Sequence, residues 1–516
     1  MLRHFRILTL CTLAALFCLV PAQWGLAQDK DDADDIPVSD ATSQCLACHE
    51  GLHPGIVAGW RKSRHARITP AEGLKKDEQA RRVSSTDIPE ELQETVVGCA
   101  ECHTMRSGKH ADTFEHAGFQ VHVVVSPDDC ATCHATEREE YKDNLMSQAY
   151  GNLVNNPFYQ QFVVSVNGHM ARTDTGKAEF TPSDPETYAE SCLYCHGTKL
   201  SVNGTKTHDT DYGSFDVPVI EGWPNQGPGR INLDGSKGSC TPCHTRHTFS
   251  IAEARSPATC GECHSGPDVP AYKVYDLSKH GTIYDSKHGD WDFDAVPWTV
   301  GKDFRAPTCA TCHISEVVSP DGTVIAKRTH AITPRLPWRI FGLIYAHPQP
   351  AKADTSTIVN QDGIHLPTTF GGDMAMDFLI DAKEQDARTG NMQAVCRSCH
   401  GASWVEHHWA RFENTIKVTN ERTRAATKVM SEAWKDGLAT GMDKDGNPFD
   451  EYPERLWTGV WFFAANHVRY ASAMAGGGDY GVFERGRYNV SERFIELNDW
   501  VTNQKMMVGG KDEKKK

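Results

Sequence analysis

One five-residue pattern, C-x-x-C-H, occurs eight times in this chain and decides most of what it can become. The copies are Cys45/Cys48/His49, Cys99/Cys102/His103, Cys130/Cys133/His134, Cys192/Cys195/His196, Cys240/Cys243/His244, Cys260/Cys263/His264, Cys309/Cys312/His313 and Cys396/Cys399/His400. Together they use every cysteine except Cys11 and Cys18, which lie in an apolar N-terminal stretch. Chance at these cysteine and histidine frequencies gives about 0.03 copies. An even cysteine count in an exported chain first suggests disulfides, but a histidine after every second cysteine is not a disulfide signature. Zinc sites built from two C-x-x-C pairs do not demand that histidine either. The pattern marks covalent attachment of c-type haem: two thiols on one side of a turn reach the two vinyl groups of one porphyrin, and the next histidine faces the iron. Eight covalent haems, with His49, His103, His134, His196, His244, His264, His313 and His400 as proximal ligands, are the expectation.

Eight porphyrins over about 490 mature residues leave roughly 60 residues each, a size at which protein alone buries little, so the cofactors must supply much of the core. The motif spacing is irregular, which excludes a repeat array. The 20-residue step from Cys240 to Cys260 presses two sites together. Segments between motifs, such as Glu221–Gly229 and Ser319–Gly322, read as loops packed on porphyrins, with short helices at the motifs. After Gly401 the pattern becomes helical over Ala402–Gly437, Tyr452–Met474 and Ser491–Gln504, with Gly437 and Gly476 as stops. The expected fold is mostly α with little strand: a multihaem cytochrome c fold whose haem-packed N-terminal body is followed by long C-terminal helices. The expected divisions are a signal peptide over 1–27, an octahaem body over 28–400, a helical region over 401–505 and a charged tail over 506–516.

Lys and Arg number 53 against 68 Asp and Glu, a formal charge of −15, which argues against a nucleic-acid binder. Arg3 and Arg6, the apolar run Ile7–Val20 and the small residues Gly25 and Ala27 predict a cleaved secretory signal. The run is short for a membrane span. The mature chain is therefore expected in the periplasm or an equivalent compartment, without a membrane span.

A haem that only carries electrons has two protein ligands, whereas a catalytic one keeps a position open. Sixteen histidines outside the motifs and signal can supply the second ligands. His65, His280 and His288 share a Ser-x-His context, His122 precedes a motif, His247 follows one, and His330 and His467 sit in apolar or aromatic surroundings. His53, His116, His169, His347, His407 and His408 complete the candidates.

The eight motifs in this order, with CTPCHTRHTFSIAEARSPATCGECHSGPD at Cys240–Asp268, GRINLDGSKGSC at Gly229–Cys240, VHVVVSPDDCATCH at Val121–His134 and SKHG at Ser278–Gly281, resemble the octahaem hydroxylamine oxidoreductase family, itself related to cytochrome c nitrite reductases. The resemblance spans about Ser43 to Trp500. It implies a homotrimer, seven bis-histidine haems and an open catalytic haem on His196. It also implies small nitrogen substrates such as hydroxylamine, hydrazine or nitrite, and electron exchange with a soluble cytochrome c or a small accessory cytochrome. Oxidising members of the family link a neighbouring subunit's tyrosine to the catalytic porphyrin; Tyr480 in GGGDYGVFERGRY is the match, with Tyr488 as rival. They also pair an aspartate with a histidine over the iron. Asp234 is the match, but Gly235 follows it, and His208 beside Asp209 is the nearest substitute base. The leading expectation is oxidation of hydroxylamine or hydrazine, with Asp234 and Tyr480 managing protons. The alternatives are reduction of nitrite or hydroxylamine on the same scaffold, or a saturated electron-transfer scaffold without catalysis.

Overall fold

The computed structural model describes residues 37–210, 213–442 and 446–513. The expected signal peptide and the end of the charged tail, residues 514–516, lie outside the described residues.

Motif segments fold as short helices or turns because each needs a single turn to bring both thiols to one side. Cys99–His103, Cys192–His196 and Cys309–His313 are five-residue helices. Short helices leave most of their terminal groups without intrahelical partners, so neighbours must satisfy them. Glu101 does this at the second motif: its carboxylate accepts from Ser39 Oγ at 2.5 Å, Thr42 Oγ1 at 2.7 Å and the Gly98 amide at 2.9 Å. These bonds tie the helix Asp40–Leu52, which carries the first motif, to the second. A Cβ on Gly98 would lie 2.5 Å from Thr42 Cγ2, so only glycine permits the approach.

Strand is confined, among the described residues, to five two-stranded antiparallel pairs. Four are short. The fifth, Ser201–Thr210 with Gly213–Glu221, is a long exposed hairpin where the sequence suggested loop. Its Phe215 packs edge-on against His116, ring centres 4.8 Å apart.

The C-terminal region is helical as expected. Ala402–Lys435 runs 34 residues, about 51 Å at 1.5 Å per residue. One stripe is buried: Val405, Trp409, Phe412 and Ile416 toward Ala346, then Ala426, Met430 and Ala433 toward Trp457 and Trp461. This helix ends where Gly437 takes φ 66°, with Leu438 N bonding Ala433 O and Gly437 N bonding Trp434 O. That is the paired-bond stop that favours glycine. The helix ending at Ala473 stops the same way, but Ala475 rather than Gly476 adopts the positive φ. Gly476 is glycine for another reason: a Cβ there would collide with Ser278. No helix among the described residues is long and apolar enough to cross a membrane.

Candidate haem sites and an open position

All sixteen motif thiols are free, and only Cys48 and Cys399 are exposed. Burial pushes several thiols up, Cys99 and Cys133 to about 11 and Cys102, Cys243 and Cys312 to about 12, whereas a neighbouring thiol holds Cys195, Cys240 and Cys309 below the ordinary value. Among the described residues the one group of three ligating side chains close enough for a single ion is His110, His122 and Asp129, with no cysteine in it. No two C-x-x-C pairs converge as a zinc site requires.

The imidazoles fit porphyrin iron. Metal–nitrogen bonds of about 2 Å, plus about 1.1 Å from nitrogen to ring centre, place two opposed imidazole centres about 6.2 Å apart. His49 and His116 are 6.1 Å apart, His65 and His134 6.1 Å, His280 and His400 6.1 Å, and His103 and His247 6.5 Å. Burial keeps the imidazoles of His65, His247, His244 and His313 neutral, each lowered to about 4, and neutral imidazole is the form that binds metal. His330 is the strongest charged neighbour of His244.

His122 also stands 6.2 Å from His103, but its nitrogen is engaged elsewhere. Its Nε2 bonds Met105 O at 2.9 Å and its ring lies flat on His110, 3.7 Å between centres. Its carbonyl accepts from His103 Nδ1 at 2.8 Å, so it orients the proximal ligand of the second motif. His467 gives Nδ1 to Phe463 O at 2.8 Å, leaving Nε2 unbonded. His347, 1% exposed, bonds Pro348 O at 2.6 Å through Nδ1, and its Nε2 is buried without a partner. His116 and His347 are the residues that sequence context underrated. His116 sits in a small hairpin far from its motif, and His347 in an irregular stretch, so neither carries a local signal. His288 stacks on Tyr284, whereas His408 spends Nε2 on Ala473 O and His53 pairs with His49. His169 and His407 are exposed.

The thiols also show which motifs adjoin. Cys130 and Cys240, Cys195 and Cys263, and Cys260 and Cys309 lie near enough to act on one another's thiols. Cys45 acts electrostatically on Cys99, Cys133 on Cys102, Cys260 on Cys243 and Cys396 on Cys312. The order is first, second, third, fifth, sixth, seventh, eighth, with the fourth joined at the sixth.

At the fourth motif the loop read as porphyrin packing crosses the motif backbone itself. Asn225 Nδ2 donates to Leu193 O at 3.1 Å. A Cβ on Gly229 would stand 2.5 Å from His196 O and 2.6 Å from Tyr150 N, and one on Gly227 would collide with Gly197. Gly197 itself has φ 88°. His196 Nδ1 bonds Ala149 O at 3.1 Å, which leaves Nε2 as the free nitrogen. Among the described residues no imidazole stands opposite His196 at ligand spacing, and the same holds of His244, His264 and His313. Burial lowers its pKa, while Asp268 and Arg339 act on it from nearby.

Asp234 does not face His196. Its side chain is fully buried and accepts from Ser126 Oγ at 2.6 Å, Ser236 Oγ at 2.6 Å, Ser236 N at 3.0 Å and Arg106 Nη1 at 3.2 Å. Burial works to raise its pKa, but these bonds hold it below the usual carboxylate range. Both carboxylate oxygens are thus engaged in a turn beside the second and third motifs, by Ser126, Ser236 and Arg106. Tyr480 is buried in its own protomer, ring centre 5.3 Å from His467. Its rival Tyr488 is 56% exposed. His208 lies on the exposed hairpin strand.

Comparison with known proteins agrees with the haem chemistry. The family model described as seven times multi-haem cytochrome CxxCH matches residues 231–338, and that of cytochrome c554 and c-prime matches 32–123. A solved "hypothetical multiheme protein" is 38% identical, covering 92% of this chain and 97% of its own, with TM-score 0.85. A chain of the "reducing HAO-like protein complex" of Kuenenia stuttgartiensis shares the fold at TM-score 0.60 and 19% identity, covering 92% of this chain and 87% of that one. A "probable nitrite reductase-hydroxylamine oxidoreductase fusion protein" of the same organism is 25% identical over 313 residues, 57% of this chain. The chain spans about 28% of that relative's length. The cysteine pairs thus hold covalently bound haem c.

Proposed function

The chain belongs to the multihaem c-type cytochromes with the fold of the hydroxylamine oxidoreductase-like proteins, and on that premise we propose that it reduces a small nitrogen compound, nitrite or hydroxylamine, at the fourth of eight haem sites. Bound haem supplies one-electron redox chemistry and, where one axial position is free, a place for the substrate nitrogen. The chain's own residues do the rest. With haem bound, His116, His247, His65 and His280 would pair with His49, His103, His134 and His400 to hold it, and His330 would be the partner of His244. His288, whose Nδ1 bonds Tyr284 O at 2.8 Å, would serve the seventh motif, and His347 or His467 the sixth.

The reading rests on His196, whose Nδ1 is given to Ala149 O and whose motif is crossed by the close-packed Gly227–Gly229 loop, with no imidazole at ligand spacing, a lack it shares with His244, His264 and His313. Arg339 attracts an anion toward that site, and Tyr159 and Tyr470, both within its field, offer hydroxyl protons. The engaged carboxylate of Asp234 and the buried ring of Tyr480 support reduction over oxidation. The thiol order makes the fourth site a branch off a continuous line of motifs. The exposed Cys48 and Cys399 put its two ends within reach of a partner such as a soluble or accessory cytochrome c. Export to the periplasm rests on the leader sequence. Self-association as a trimer is supported by the exposed apolar side chains Ile495, Met506 and Met507 on the last helix.

The test is electron paramagnetic resonance of the oxidised holoprotein, with steady-state assays alongside. A high-spin ferric signal that changes on adding nitrite or hydroxylamine, and consumption of either with a reduced donor, is the expected result. Six-coordinate signals throughout would leave only electron transfer. Hydroxylamine oxidation outpacing nitrite reduction would reverse the direction.

A further inference from the structure

Arg230 and Arg246 share the indole of Trp223, their guanidinium carbons 5.2 and 5.0 Å from its ring centre. Two like charges on one ring repel, and neither forms an ion pair with a carboxylate among the described residues. Arg230 is 1% exposed and spends its donors on neutral acceptors: Asn232 Oδ1 at 2.8 Å, Asn225 O at 3.1 Å and Val125 O at 3.5 Å. Arg246 forms no hydrogen bond at all. It borders a cavity of about 430 Å³, lined also by Gln226, Thr241, Thr245 and His247. Glu262 borders the same cavity without reaching Arg246. A guanidinium fork matches a carboxylate in two parallel hydrogen bonds, and buried charges are paired in stable proteins.

We propose that this cavity is a carboxylate site for the propionates of the porphyrin held between His103 and His247, with Arg246 as the clamp and Arg230 as a second cation behind Trp223. The proposal rests on the reading that the second motif carries a haem with His247 as its other ligand. The placement follows from the chain: Arg246 immediately precedes His247, so the same turn that offers the imidazole presents the fork beside it. Both arginines act as positioning residues and also set how easily that site takes an electron. A nearby cation disfavours the more positive ferric state, so removing one lowers the potential.

The experiment is a spectroscopic redox titration of the full-length holoprotein, its haem load counted by intact mass, for wild type, Arg246→Gln and Arg246→Lys. In Arg246→Gln every haem remains attached and the midpoint of one shifts downward; Arg246→Lys, which keeps the charge but loses the fork, recovers part of the shift. A titration of Arg246→Gln that superimposes on wild type at full haem load overturns the proposal. So does a wild-type midpoint that follows added sulfate concentration only while Arg246 is present, because the cavity then takes a free oxyanion. Should Arg246→Gln fail to fold, Arg246→Lys and Arg230→Lys read the same shift. A wild-type peptide containing Cys99 and Cys102 without porphyrin mass would instead defeat the underlying ligand reading.

Discussion

His110 is a buried histidine bound to two acids rather than to iron. Burial alone would lower its pKa, but the carboxylates of Asp129, hydrogen-bonded at 3.1 Å, and Asp112, 3.7 Å away, overrule it and raise it to about 9. The charged form is therefore favoured by folding. Its contribution is complete below the unfolded value near 6.5 and is lost as pH rises through about 9. The melting temperature should fall between pH 7 and 10, and His110→Gln should flatten that slope while lowering stability at pH 6; thermal unfolding against pH in both proteins checks it. Gly229 makes a sharper case. Alanine there would press on His196 O and Tyr150 N, both backbone atoms that cannot swing away. Gly229→Ala should cost about 1–3 kcal/mol and disturb the open fourth site selectively, seen as a changed high-spin signal with the low-spin signals intact. At this scale the sequence was readable where chemistry repeats, as in the cysteines and proximal histidines. It was silent on the surroundings of Asp234, whose partners Ser126 and Arg106 are both more than 100 residues away.

Elements were legible where periodicity is strong. The buried stripe of Ala402–Lys435 follows three- and four-residue spacing, so its length and its stop at Gly437 could be anticipated. The hairpin Ser201–Glu221 could not, because its polar strands bury little on either face and carry no two-residue hydrophobic alternation. Within the helical region Trp457 is fully buried, gives Nε1 to Thr427 Oγ1 at 2.9 Å and packs on Trp434, Phe370 and Trp461. Trp457→Ala should cost about 3–5 kcal/mol, measured by denaturant unfolding, while leaving the haem spectra of the folded protein unchanged. Gly437→Ala meets no neighbour and carries only the penalty of a left-handed backbone, about 1 kcal/mol by the same measurement.

For the molecule as a whole, the apolar clusters lie mainly in the C-terminal helices, with smaller ones around Trp298 and Leu153. Much of residues 37–400 is short helix and loop around the motifs, with half-buried thiols and imidazoles. That body depends on its porphyrins for a core. Denatured holoprotein should weigh more than its amino acids by eight haems. Cleaving the thioethers with silver salts and removing the porphyrins should unfold the N-terminal body, with helical circular dichroism surviving in part from the C-terminal region. A cooperative, native-like melt of the stripped chain would show that the polypeptide core suffices by itself.

The cofactor, its attachment and the helical C-terminal region were written in local patterns, because a thioether pair needs only one turn of chain and a helix needs only its own periodicity. Which imidazole opposes which, the joining of the fourth motif to the sixth, the burial of Tyr480 and the saturation of Asp234 were decided by the tertiary structure. Each of these brings together groups from distant parts of the chain, and no local spacing records where a fold closes on itself.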